Sequence, residues 1–505
     1  MKNIYLFYIL TALILGACAE DKGNYDYDPI NDLTISGINT KTYTLVLGDT
    51  LKIPVTLKRS KENSTENLNY LWEFDGKEVA NTQSLCIPSP AGISYGEKKC
   101  RYTVTDPATG MKWYQTFTVN IVSPFNWGYY LLTEKEDHST VISFLPISDS
   151  TEIKSCIHTT NIDGLPLGKY PATINGSYGS NQQLGTYTWT IKVITQEGEY
   201  PVIVTNTTTF TSLGVVTNEN FIDASAGYTF KPSNVITDPR NNTYFISEGK
   251  IIGYIEGLLY RPAKHPKEYH WNYPIAYSGV TQCGLFFDEI SRKYYFVTSQ
   301  EDDPEAGIVG DSYALDKVID FEDNRNFKDE AIIGYSTSSM YAPDYSSASN
   351  IVTVVSAENG KIHLTEFTYF TDYTDYSESR KCTSHEELAM VDANIHTKAV
   401  LANKTWYFSS DNKIYSTPEI LPKIEPFIDI PTQYGKVVNL STSVMGSRLI
   451  VTTYDENSPE EMKGSILIID IQSKEIIPHP HTIHKCVHIF SANSDGFGWG
   501  EGDGK

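Results

Sequence analysis

The densest set of metal-capable side chains is HPHTIHKCVH, residues 479–488. His484, Cys486 and His488 are two apart, and on a strand residues i and i+2 share a face. Presented together they would offer nitrogen, sulfur and nitrogen donors of the kind zinc takes. The spacing is only mildly specific, because there is no H-E-x-x-H and no C-x-x-C. A histidine-rich strand with packed or solvated rings is the simpler reading, and we expect neither metal nor cofactor. The terminal SDGFGWGEGDGK is rich in Asp and Gly but lacks the ligand spacing of a calcium loop. GISYG at 92–96 has the G-x-S-x-G spacing and GSYGS at 176–180 does not, and neither has the strand-to-helix context that a nucleophile elbow requires. With 62 Asp and Glu residues, chance alone supplies carboxylate pairs, so none can be assigned glycosidase roles without geometry. The chain therefore reads as a non-enzyme.

Aromatic clusters are the more suggestive feature. EYHWNYPIAY holds Tyr269, Trp271, Tyr273 and Tyr277; MYAPDY holds Tyr341 and Tyr345; TYFTDYTDY holds Tyr369, Phe370, Tyr373 and Tyr376. Flat rings with a polar handle suit sugar faces, peptide side chains and protein interfaces. Pro274 argues that its stretch is a loop and not a central strand, and loops on a rigid scaffold concentrate binding residues. Blade packing is the simpler reading for any single ring. As a set, Tyr269, Trp271, Tyr273, Tyr341, Tyr345 and Tyr373 are the expected ligand or partner contacts.

Something must carry these clusters, and the start of the chain says where. Lys2 precedes an apolar run, Ile4 to Leu15, too short for a bilayer that needs roughly 20 residues. That is the pattern of a secretory signal, residues 1–17. It ends in Leu15-Gly16-Ala17-Cys18, which resembles a bacterial lipobox with Cys18 as the lipidated residue. Several acyl chains there give stable anchoring. Glu20 and Asp21 follow in a polar linker, 18–32, similar to the acidic export tag of surface lipoproteins in Bacteroidota. The expected location is the outer membrane, lipid-anchored and exposed at the cell surface; a periplasm-facing anchor is the alternative.

Composition fits a large extracytoplasmic protein. The 505 residues leave room for two or more domains. A net charge of −22 without a basic block argues against nucleic acid. Beyond Cys18, six scattered cysteines make no disulfide framework. Only Cys86 and Cys100 are near neighbours, and two free thiols are favoured over a bridge.

The pattern throughout is all-β: short runs of Val, Ile, Tyr, Thr and Phe between Gly, Asn, Asp and Pro clusters. In residues 33–123, strands are expected at 42–47, 50–57, 69–74, 100–105 and 113–122, with Trp72 mid-strand and Asp75-Gly76 as a tight turn. A buried Trp among about ninety residues of short strands fits an Ig-like sandwich. CAEDKGNYDYDPIND followed by YLWEFDG and YTVTD resembles the PKD-like family of Bacteroidota lipoproteins. The resemblance is strong over the N-terminal quarter and looser beyond it. In that family the PKD-like module is a spacer or interaction domain without catalytic residues.

From residue 125 to 505 one pattern recurs: a strand ending in Ser or Thr, a tight turn, and another strand. It appears at 128–145, 199–213, 238–255, 288–300, 344–367, 402–418 and 446–471. The spacing of roughly 40 to 70 residues is near the period of a four-stranded propeller blade. A seven-bladed β-propeller is the favoured reading, over six or eight blades or stacked sandwiches. The family resemblance implies a non-catalytic accessory or ligand-binding component of a SusC/SusD-like, TonB-dependent importer of oligopeptides or glycans. A stand-alone surface glycan or peptide binder is the alternative, and a propeller hydrolase or lyase a third.

Overall fold

The computed structural model describes residues 31–492 apart from 40, 47–48, 62–66, 89–95, 124, 126–127, 147–155, 182–185, 208, 224–225, 238–241, 277–282, 300–313, 376, 385–387, 390–397, 420–422 and 444–445. Cys18, Glu20 and Asp21 lie outside the described residues. The chain divides into two compact units, Met1–Val122 and Ser123–Lys505.

The first unit is a sandwich. Its larger sheet runs in the order Tyr43–Val46, Lys112–Val122, Gly96–Thr105, Asn69–Phe74, Lys77–Ala80. Two strand pairs, Leu33–Ser36 with Thr56–Arg59 and Thr50–Ile53 with Leu85–Pro88, share its core. Buried and exposed residues alternate along Gly96–Thr105 and the second half of Lys112–Val122, as expected of sheets with one wet face. Trp72 is fully buried, 4.2 Å from the Tyr102 ring and edge-on to Phe117, and its indole N–H donates to the Thr82 carbonyl at 2.7 Å. Asp75 and Gly76 both have positive φ, as a two-residue hairpin turn requires. The single strand expected over 50–57 is broken at Pro54, which has no N–H to give a ladder. The chain changes partner there, from Leu85–Pro88 to Leu33–Ser36. Cys86 is exposed and Cys100 buried, both free thiols.

The second unit is a seven-bladed propeller. Six sheets are built from consecutive strands, within 169–216, 232–262, 271–319, 331–384, 400–429 and 436–483. The remaining sheet, blade 1, joins the two ends of the unit. Gly128–Glu134, Thr140–Pro146 and Ile157–Thr159 are completed by Lys485–Ala492, the last described strand. Buried apolar residues form one core at each blade interface. Ile142 of blade 1 packs with Ile174 and Ile191 of blade 2, and so on around the ring. The last core sets Ile450, Ile466 and Ile468 of blade 7 against Tyr129, Leu131 and Leu145 of blade 1. The ring is therefore closed. Strands packed on both faces lose their alternation, and Thr140–Pro146 is buried at every position. Six of the seven sequence repeats each contribute the two middle strands of one blade, or the turn between them; the repeat at 199–213 falls on the outer pair of blade 2.

Candidate functional site

We label the strands of each blade A to D from the ring outward. A–B and C–D turns then lie on one face of the propeller, and B–C turns and D–A connections on the other. Blade 5 is long, as is blade 2, whose first two strands have 13 and 12 residues, but blade 5 carries that length into its third strand. Its strands A, B and C are Ala331–Tyr341, Ser347–Glu358 and Lys361–Asp372, of 11, 12 and 12 residues, against 5 for strand B of blade 3, Thr243–Ser247. The A–B end is the open one: Ser338, Met340 and Tyr341 are exposed. At about 3.4 Å per residue, the six or seven residues added relative to that strand of blade 3 span roughly 20–24 Å.

Three of the expected contact residues crown this projection. Tyr341 ends strand A, Tyr345 lies in the A–B turn, and Tyr373 opens the C–D turn. They are 50%, 74% and 44% exposed. The Tyr341 and Tyr345 rings are 6.1 Å apart. The Tyr373 backbone N–H donates to the Ser346 carbonyl at 2.7 Å, tying the two turns together. The turns are built locally. The Asp344 carboxylate accepts from the Ser346 N–H and hydroxyl at 3.1 and 2.6 Å, and Asp372 accepts from Thr374 in the same way. The Ser346 hydroxyl bond, then its N–H, holds Asp344 below the usual carboxylate range, and Ser377 does the same for Asp375. The tip thus offers apolar ring faces beside charged acceptors. That combination can hold hydroxyl- or N–H-bearing ligands, and among the described residues of the tip there is no nucleophile–base pair.

The other expected contacts are elsewhere. Trp271 is 1% exposed and belongs to the core between blades 3 and 4, with Tyr244, Phe286 and Tyr295. It cannot meet a ligand. Tyr269 is half-buried and stacks on Trp271 at 4.5 Å. Pro274 does not make a loop: it sits in the innermost strand of blade 4, Trp271–Ala276, at a bulge between Asn272 and Ile275. The bulge absorbs the missing N–H. Tyr273 has a positive φ at this bulge and is 40% exposed, packed edge-on against Phe287. It lies near the start of its strand, toward the B–C face, whereas Tyr341 ends its strand at the opposite face.

Among the described residues, the donors of the histidine strand do not converge within metal-binding distance of one another. Lys485–Ala492 is the innermost strand of blade 1, and its register shifts at Cys486. Cys486 is buried in the core between blades 7 and 1, its thiol pushed up to about 12 by burial. A neutral thiol there donates weakly to the His488 carbonyl at 3.6 Å and offers no thiolate. Burial holds His484 below its ordinary value, with Lys135 adding to the effect.

Two open depressions stand out among the described residues. One, of about 290 Å³, lies on the B–C face where blades 7 and 1 meet; the Lys463 ammonium bonds Glu136 across it at 2.6 Å. The other, of about 450 Å³, lies on the sandwich beside Trp113 and the 70%-exposed Tyr114. Sequence reading missed Tyr114 and Met340, since an isolated exposed apolar residue leaves no periodic signal.

Residues 18–171 match the PKD-like family, a span that runs past the sandwich and through 128–159 of blade 1 to the start of blade 2. No curated protein matches the chain. Among solved structures it is similar to a quinonprotein alcohol dehydrogenase-like protein from Bacteroides thetaiotaomicron VPI-5482. Identity is 14% over 92% of this chain and 97% of that one, with a TM-score of 0.38. It is also similar to BBS1N in complex with ARL6DN, at 12% identity over 71% of this chain and 89% of that one, TM-score 0.34.

Proposed function

We propose that the chain is an outer-membrane lipoprotein, anchored through Cys18 and displayed at the cell surface. Its propeller serves a SusC/SusD-like nutrient importer as a non-catalytic accessory or ligand-binding component, for oligopeptides or glycans. The observation that carries the reading is the blade 5 tip, where Tyr341, Tyr345 and Tyr373 are exposed together on an extended hairpin. A rigid ring supports that hairpin, and exposed Tyr on a rigid scaffold is what recurs in contact surfaces. The PKD-like match at 18–171 and the lipobox at 15–18 support the anchored, extracytoplasmic setting. A binder acting without an importer is the second reading, favoured by the same tyrosines.

Cys18→Ala is expected to abolish acyl labelling and to leave the protein uncleaved or soluble. Continued incorporation of radiolabelled palmitate would overturn the anchor. Affinity purification of the native lipoprotein from solubilised membranes is expected to bring down a β-barrel partner. Recovery of the lipoprotein alone, with glycan or peptide bound, favours the second reading, and turnover of either would make it an enzyme.

A further inference from the structure

On the face opposite the tyrosine tip, blade 5 gathers three metal-capable side chains that are far apart in sequence. Glu330 immediately precedes strand A. Glu358 ends strand B, and His363 follows near the start of strand C. Asn359 and Gly360, both with positive φ, close the two-residue turn between those strands. The register pairs Glu358 with Lys361 and Ser356 with His363. Ser356 and Glu358 are two apart on one strand, so they and His363 share one face of the sheet. The Ser356 hydroxyl donates to Glu330 Oε2 at 2.5 Å, which brings Glu330 onto that face. One donor atom from each of Glu330, Glu358 and His363 lies within 4.8 Å of the other two.

Glu330 is 4% exposed and firmly placed. Arg325 pairs with its Oε1 and reaches Thr365 Oγ1 at 3.1 Å, and Arg292 donates to its backbone carbonyl at 2.6 Å. A carboxylate has about four acceptor positions, so Arg325 and Ser356 leave room for a further partner. The second, independent observation is His363 itself: its Nε2 is buried and has no hydrogen-bond partner. One ring nitrogen of this imidazole also lies within 4.8 Å of a carboxylate oxygen of both Glu330 and Glu358.

We propose that Glu330, Glu358 and His363 bind a divalent first-row transition ion, with zinc the best fit. Two oxygens and one nitrogen suit zinc, whereas calcium takes six to eight oxygens. Ligand atoms at about 2.1 Å from a tetrahedral ion are about 3.4 Å apart. Small rotations of the half-buried Glu358 and His363 side chains close the difference. Three protein ligands leave the fourth position open to water or a small ligand. The ion would fasten the connection ahead of blade 5 to the turn at the base of that blade's long strands.

The test is a zinc titration of the chelator-treated mature protein by calorimetry, with melting temperature read in parallel. His363→Ala and Glu358→Gln change half-buried side chains and should leave the metal-free melting temperature near that of the parent. The expected result is one zinc equivalent that both variants lose or bind at least about tenfold more weakly. Zinc should raise the melting temperature of the parent and not of the variants. Equal stoichiometry and equal shifts in parent and variants would assign the zinc to adventitious histidines such as His479, and would overturn the proposal. Absence of binding to the parent at micromolar zinc would also overturn it.

Discussion

A chain ending at His484 is expected to lose the folded propeller altogether. The deletion removes Lys485–Ala492, the innermost strand of blade 1, and leaves Gly128–Glu134 with an unpaired edge in the interior of the ring. It also removes Cys486, Ile489 and Phe490 from two interface cores. Each such side chain contributes about 1.5–3 kcal/mol on burial, against a total stability of order 5–15 kcal/mol for a native protein. Phe490 is a particular loss. A Cβ at Gly176 of blade 2 would stand 2.1 Å from its ring, so that ring fills a space reserved by glycine. Size-exclusion and near-UV circular dichroism should show aggregated or expanded protein, while a chain ending at Ala492 remains folded. A cooperative melt within a few degrees of the parent's would refute closure by the terminal strand.

Trp271→Ala is expected to cost about 3–5 kcal/mol of stability, as a fully buried indole does, with ligand or partner binding per folded molecule unchanged. The ring stacks on Tyr269 and meets His265, Phe286 and Tyr295 edge-on. Weakened binding with an unchanged melting temperature would return Trp271 to the surface and contradict the core placement.

Trp271 also marks where sequence reasoning stops. The local signal at Pro274 was genuine, since proline does break a regular ladder. A bulge met that requirement inside the strand, and whether a bulge is available depends on the neighbouring strand Cys283–Asp288. Burial of the indole depends on blade 3, which is more distant still. By contrast, the recurrent strand–turn–strand pattern was legible because each blade repeats the same local solution, and turns such as Asp75-Gly76 announce themselves by residue type. The three tyrosines of the tip were visible as composition, but that they share one end of an extended hairpin was not. That needed the register of strands 331–341, 347–358 and 361–372. The histidine strand was ambiguous for a related reason: period-two spacing is the same for a ligand set and for an inner strand whose alternate residues enter a core. Glu330, Glu358 and His363 carry no motif at all, because they meet through the approach to blade 5 and a turn.

The measurement closest to the central claim compares the parent with Tyr341→Ala/Tyr345→Ala/Tyr373→Ala in affinity purification from intact cells, with melting temperature as the control. The rings are exposed, so their removal should shift the melting temperature by no more than a degree or two. Contact residues at the centre of an interface each cost about 2 kcal/mol or more on truncation. Recovery of the importer or of bound peptide or glycan should therefore fall to background. Undiminished recovery by a folded triple variant would contradict the claim that the blade 5 tip is the contact surface.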